Sequence, residues 1–454
     1  MRPRRARRPV VLYQPRDAGV RMPLGLLAVA SELAREHVVI VDGRLDLAPE
    51  ARVVELVREA DCLGMTVRSG RPLRDALRVS GAARRANPRL RVVWGGPHAS
   101  MRPGECLATG VVDACVVGAG ERAFPQILEA ARAGRPLDGL PGVATPGAGR
   151  TEAEAPPPPE EVVPAQYALL ELERYFDVRG GRRLDYISSR GRRDGNAGSG
   201  WGFPPDRVVA EVDELFDRYR VSTLLIQEEG FFADLDRVDA LAQGLLDRPR
   251  RHRWEVGARP EEVLAAGGGR LRLLRGSGCV RVHVLVPPGA VLAGESRRVV
   301  IGAGQLLHDA DLIGRFVLEV EAPRPGHDSL AAADRVARAL MAIDRRFETP
   351  LQRRRIYPPD EDPVQASPES LEGWVAREEA PWPDARAERR LRRRIFYFSE
   401  AQRPPGRRVG QRLVRALARV RVRRGLFVLG FERRVVEASA FLRTGRARPA
   451  GWRD

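Results

Sequence analysis

Residues 9–145 alternate short, nearly uninterrupted apolar runs with stretches of helical periodicity, and few architectures accommodate that alternation. The runs PVVLYQP, HVVIVDG, DCLGMTV, LRVVWGG and VDACVVGAGE read as strands. PLGLLAVASELAREH, ARVVELVREA, RPLRDALRVSGAARRANP and AFPQILEAARAG read as helices. A strand that is apolar on both faces must be covered on both, and in a parallel sheet the crossover helices supply the covers. Right-handed crossovers then build a doubly wound α/β domain.

Domains of this kind bind ligands at the carboxyl ends of their strands. Three such ends are small or polar here: 66–70 (TVRSG), 95–98 (GGPH) and 118–121 (GAGE). Paired glycines let a ligand approach the backbone closely. Each glycine taken singly is an ordinary strand-to-helix turn; together, at successive strand ends, they point to a binding crevice. No Gly-x-Gly-x-x-Gly opens the first helix, which disfavours a dinucleotide.

Residues 146–182 contain four consecutive prolines flanked by acids and small residues, the composition of an extended linker. Strand and helix patterns resume over 183–345, with VSTLLIQEEGFF, HRWEVGAR, CVRVHVLVPPG and RFVLEVEAP as strands and PEEVLAAGG and SLAAADRVARALMAID as helices. Residues 346–454 begin with a loop-like, Pro- and acid-rich stretch. They continue as an Arg-rich segment with Val409, Leu413, Leu417 and Val420 at helical spacing, read as the buried face of a helix whose arginines meet water.

The formal charge of +17 comes from 77 basic residues, all Arg, against 60 acids. These arginines are spread along the chain and do not form one stripe interleaved with aromatics, so a specific nucleic-acid face is not indicated. An all-Arg basic set with abundant Ala, Gly and Pro reads as coding bias. No apolar run is long enough to span a bilayer, and the basic N-terminus lacks the features of a signal peptide. Membrane contact by the C-terminal basic helix is the minority reading. The four cysteines, Cys62, Cys106, Cys115 and Cys279, are scattered without metal-type spacing and fit a reducing cytoplasm.

The blocks GMTVRSGRPLRDAL, VVWGGPHAS and VVGAGERAF resemble those of the cobalamin-binding domain in the B12-binding-domain radical SAM family, and YISSRGRRDGNAGSGWGF resembles that family's cluster loop. The resemblance implies an α/β chain: an N-terminal Rossmann-like cobalamin-binding domain (1–145), a connecting segment (146–182), a partial (β/α) barrel of radical SAM type (183–345) and a helical C-terminal region (346–454). Carried over by position, Thr66, Ser69, Gly95, Gly96, Gly118, Gly120 and Glu121 would line the cobalamin crevice. His98 is the nearest candidate axial ligand by residue type. The Asp-x-His-x-x-Gly loop of methionine synthase-type domains is absent after the first strand, where YQPRDAGVRMPLG stands.

In the family the cluster loop carries Cys-x3-Cys-x2-Cys, three thiolates for a [4Fe–4S] cluster whose remaining iron meets SAM. Here Arg192, Asn196 and Ser199 occupy those places. Arg is a permanent cation with no lone pair for iron, and Asn and Ser are hard, neutral donors where soft sulfur is needed. The family's Gly-x-Glu-Ser-Gly turn is altered too, with Pro287 in place of its Glu, and so is the turn within 319–326. Glu228 and Glu229 keep the family's acidic strand end and read as a hydrogen-bonded or solvated pair; Arg259 matches the family's Arg.

Three functional readings follow. The first is a cobalamin-binding homologue without radical chemistry that assists a catalytically complete radical SAM partner in a biosynthetic pathway. The second is an active cobalamin-dependent radical SAM enzyme, such as a methyltransferase, with unusual cluster ligands. The third is a non-enzymatic scaffold.

Overall fold

In this computed structural model the described residues are 8–17, 19–148, 152–153, 155–191, 201–228, 230–292, 294–322, 328–354, 370–379, 384–402, 409–424 and 427. Positions 192, 196, 199 and 229 lie outside them. The strands β1 (Val10–Gln14), β2 (Val38–Asp42), β3 (Cys62–Thr66), β4 (Arg91–Gly95) and β5 (Ala114–Val116) alternate with α1 (Leu24–Glu32), α2 (Pro49–Val57), α3 (Arg71–Ala86), the short α4 (Pro97–Met101) and α5 (Pro103–Leu107), and α6 (Gly120–Arg132). The parallel order is β2-β1-β3-β4-β5, so the sheet reverses its direction of growth between β1 and β3. A two-residue strand β6 (Val143–Ala144) closes the edge antiparallel to β5, an element the sequence pattern was too short to signal.

Alternate residues of one strand serve two cores. Val11, Tyr13, Leu63, Met65, Val92 and Trp94 face α2 and α3, while Val10, Leu12, Cys62 and Val93 face α1 and α6. Residues 155–171 are tied to the first domain: Val162 and Tyr167 are buried, and the Gln166 N–H donates to Ser31 Oγ at 2.9 Å. The chain then forms α7 (Leu172–Arg179), β7 (Arg183–Tyr186), a hairpin of β8 (Ser189–Arg190) and β9 (Trp201–Gly202), α8 (Pro205–Tyr219) and β10 (Thr223–Ile226). β7 and β10 pair in parallel.

The described residues divide into two compact units, 1–227 with 355–380 and 228–354 with 381–454. The second begins with α9 (Leu235–Leu246), β11 (Trp254–Ala258), α10 (Pro260–Gly276), β12 (Cys279–Val286), α11 (Pro288–Leu292), α12 (Gly294–Asp309), β13 (Ile313–Val320), α13 (Ser329–Ile343) and β14 (Leu351–Arg353). β11, β12, β13 and β14 are successive parallel neighbours. One face of these strands, with Val256, Val282, Val284, Phe316 and Leu318, is fully buried. The other carries Glu255, Arg281, His283 and Arg315. α11 and α12 were not legible in the sequence.

Three helices follow: α14 (Leu371–Glu379), α15 (Ala385–Gln402) and α16 (Val409–Arg424). α14 belongs to the first unit, where Leu371, Trp374 and Val375 complete the core beside α3. The Pro- and acid-rich composition of this stretch predicts a loop; α14 forms because Leu371, Trp374 and Val375 share one buried face. In α16 the expected apolar face is corrected. Leu413 and Val420 are 51% and 46% exposed, whereas Val414, Ala418 and Val422 are buried. The sequence offers two stripes one residue apart, and packing against α15 selects the second. The side chain of Val409 lies outside what is described. Among the described residues no helix is long and apolar enough to cross a membrane.

Candidate functional site: a cavity at the strand ends of the first domain

At the carboxyl ends of β1, β3, β4 and β5, a cavity of about 540 Å³ opens on the α1 and α6 side of the sheet. Its position beside the β1/β3 reversal is where doubly wound sheets bind ligands. Thr66, Gly95, Gly96, Gly118, Gly120 and Glu121 all line it. Apolar walls come from Leu12, Leu26, Val29, Val116 and Phe124, and the far side from Ala155, Pro156, Arg190 and Gly191.

Two glycines shape the cavity by what they lack. A Cβ on Gly64, inside β3, would stand 2.6 Å from the Phe124 ring and 2.8 Å from Leu12 Cδ2. Gly96 has φ +86°, and a Cβ there would meet Thr66 Oγ1 at 2.6 Å. Gly64 was missed in the sequence, because a glycine within a strand signals nothing until its opposing side chains are known.

The polar end is an ion pair. Glu121, in the first turn of α6, accepts from Arg190 Nε at 3.0 Å, and the two side chains are only 9% and 14% exposed. Arg190 also donates to the Ser189 carbonyl and lies 5.3 Å from the centre of the Phe203 ring. Arg190 is the last described residue but one before position 192, so the cavity adjoins the start of the cluster-like loop.

Ser69 and His98 do not line the cavity. Both are buried, and Ser69 Oγ lies 2.9 Å from His98 Nδ1. His98 Nε2 has no hydrogen-bond partner among the described residues, and the ring stands edge-on to Trp374 at 5.7 Å. Burial, with the Arg102 cation second, pushes the imidazole down to about 4, so His98 is neutral at pH 7. After β1, Tyr13 Oη donates to Asp75 at 2.6 Å and Arg68 bonds Asp17 at 3.1 Å. A buried Tyr–Asp pair and an Arg–Asp pair whose arginine side chain is partly exposed thus occupy the place of a cobalt-ligating His loop.

Other sequence candidates lie in the second unit. Glu228 is buried with Arg237 Nη1 3.6 Å from its carboxylate. The Arg259 backbone N–H donates to Glu262 as the cap of α10. Pro287 is exposed just before α11.

All four cysteines are buried within secondary structure: Cys62 in β3, Cys106 in α5, Cys115 in β5 and Cys279 in β12. Burial drives the Cys62 and Cys279 thiols well above the ordinary range. A hydrogen bond with the Cys106 thiol, and then burial, do the same to Cys115. None is placed to present a thiolate ligand.

Residues 18–128 match the B12 binding domain family. An uncharacterized methyltransferase of Pyrococcus horikoshii is 31% identical over 164 residues, covering 34% of this chain and 35% of that protein. The cobalamin-dependent S-adenosylmethionine radical enzyme OxsB, solved with aqua-cobalamin bound, shares the fold with a TM-score of 0.59 at 15% identity, covering 76% of this chain and 53% of OxsB. The radical S-adenosylmethionine methyltransferase TsrM of Kitasatospora setae, solved with cobalamin and a [4Fe–4S] cluster, gives 0.58 at 17% identity, covering 78% and 73%. The chain thus spans about a third of the methyltransferase's length and about half of OxsB's.

Domain match and architecture together define an α/β protein with a B12-binding domain, a parallel half-barrel and C-terminal helices. The B12 binding domain match covers residues 18–128, and the fold class expected from the sequence blocks holds.

Proposed function

We propose that this chain binds cobalamin in the first-domain cavity, has lost the radical centre, and assists a catalytically complete radical SAM homologue in a biosynthetic pathway. One observation carries the loss. The three cluster positions hold Arg192, Asn196 and Ser199, and every cysteine of the chain is buried in a strand or helix elsewhere. The residues present do not fit a thiolate-held cluster.

The cavity does fit an apolar, planar group. Gly64 keeps it deep, Gly95 and Gly96 bring backbone to its wall, and Leu12, Val29, Val116 and Phe124 give apolar contact. These residues would hold the nucleotide tail of cobalamin, and Thr66 and Glu121 would meet its polar atoms. Bound cobalamin supplies one-carbon carrier chemistry; this chain supplies binding and exclusion of water. A cytoplasmic site of action is part of the reading and is supported by four unpaired, buried thiols.

An active enzyme with ligands from elsewhere is the competing reading, favoured by the methyltransferase relative. The two separate on reconstitution with an intact Cys-x3-Cys-x2-Cys homologue from the same genome. The proposal expects the two to co-purify, with turnover by the homologue rising when this chain is added. Turnover by this chain alone contradicts it.

A further inference from the structure

A second cavity, of about 160 Å³, lies in the second unit at the N-terminal ends of β12 and β13, where α15 and α16 cover it. (β/α) barrels place their chemistry at the opposite strand ends. This cavity is therefore separate from any barrel site and does not rest on the cobalamin reading.

Its charge is unbalanced. Five guanidinium groups line it against one carboxylate, Glu348. Two of the five are neutralised. Arg346 is held by Asp344 at 2.8 Å and Asp311 at 2.6 Å, and Arg281 by Glu255 at 2.9 Å and Glu348 at 3.0 Å. Glu348 is itself shared, since its other oxygen takes Arg315 at 2.5 Å. Among the described residues Arg419 Nε meets only the neutral carbonyl of Ala401, at 3.1 Å. The Nε groups of Arg281 and Arg415 are buried with no acceptor among the described residues. Burial, then the neighbouring Arg419, weakens Arg415's hold on its proton. Buried donors without acceptors are costly, so such a site favours an incoming anion.

The remaining walls are apolar: Ile313, Met341, Phe347, Phe398 and Val422. Cavities of about 150 Å³ with apolar walls hold a benzene-sized ring. Guanidinium groups match a carboxylate in two parallel hydrogen bonds. We propose that this cavity binds a small organic monoanion with a ring-sized apolar body, of the aryl carboxylate class, with Arg415 and Arg419 on the carboxylate.

Calorimetric titration of the full chain tests this with three probes: benzoate, its neutral isostere benzamide, and inorganic phosphate. The proposal expects saturable one-to-one binding of benzoate, with both benzamide and phosphate weaker by about tenfold or more, the scale of one lost charge-assisted contact. Arg415→Gln should weaken benzoate by a similar factor while cobalamin uptake by the first unit is unchanged. Ala401→Leu, which adds bulk at a residue lining the cavity, should also abolish benzoate binding and covers the case in which Arg415→Gln does not fold. Absence of benzoate binding, equal affinity for benzamide, phosphate binding tighter than benzoate, or benzoate binding untouched by Ala401→Leu would each overturn it.

Discussion

Arg190 and Glu121 are joined at 3.0 Å across 69 residues of sequence, and neither side chain is more than 14% exposed. The pair ties the first turn of α6 to the strand that leads into the cluster-like loop. Removing one member leaves a charge buried without its partner, a cost of about 3 kcal/mol or more. Glu121→Ala is therefore expected to lower stability by about that amount. The double variant Glu121→Ala/Arg190→Met should cost less than the sum of the singles, by urea denaturation in a double-mutant cycle. Simple additivity would show that the pair contributes nothing.

Gly95 has room beside it: the nearest atom to an added Cβ is Val116 Cβ at 3.6 Å, and the position lines the cavity. Gly95→Leu should fill the cavity from its wall without disturbing the strand. Cobalamin retained after gel filtration is expected to fall about tenfold or more, with the melting temperature nearly unchanged. Full retention by the variant would remove cobalamin from this cavity.

His98 makes stability depend on pH. Its folded pKa, about 4, lies below the value near 6.5 of the unfolded chain, so the unfolded chain takes up its proton first as pH falls. The stabilisation is complete above pH 6.5 and drains between 6.5 and 4, by up to about 1.4 kcal/mol per pH unit. His98→Asn should flatten that portion of the profile, read as the difference in urea midpoint between pH 7 and pH 5. An unchanged slope would place the dependence on other groups.

Trp374 is 1% exposed in the core of the first unit, and its indole N–H donates to Glu105 at 3.1 Å. Trp374→Ala should cost about 3–5 kcal/mol and destabilise the domain that holds the cavity. A loss under about 1 kcal/mol would show that α14 is dispensable there.

β1 to β5 were legible because a parallel sheet buried on both faces writes itself as nearly uninterrupted apolar runs, and β12 and β13 because their apolar residues alternate with polar ones. The strand-end glycines were legible for the same reason, since each stands where such a run stops. Contacts between distant residues were not. Trp374 reaches Glu105 across 269 residues, and nothing local in a Pro- and acid-rich stretch announces it. α16 carries two apolar stripes one residue apart, and only the neighbouring helix decides between them. The Arg415 cavity was invisible in a chain whose arginines are everywhere, because what sets these apart is the carboxylates already taken by others. The cluster-like loop was the reverse case, since its meaning lies in residue identity at three positions.

Metal content is the most direct test of the central claim. The protein is purified anaerobically, offered hydroxocobalamin, iron and sulfide, freed of excess, and assayed for cobalt and iron together. Stoichiometric cobalt without iron is the predicted result. Stoichiometric iron with cluster-type absorbance would contradict the loss of the radical centre, and absence of cobalt would contradict the cobalamin site.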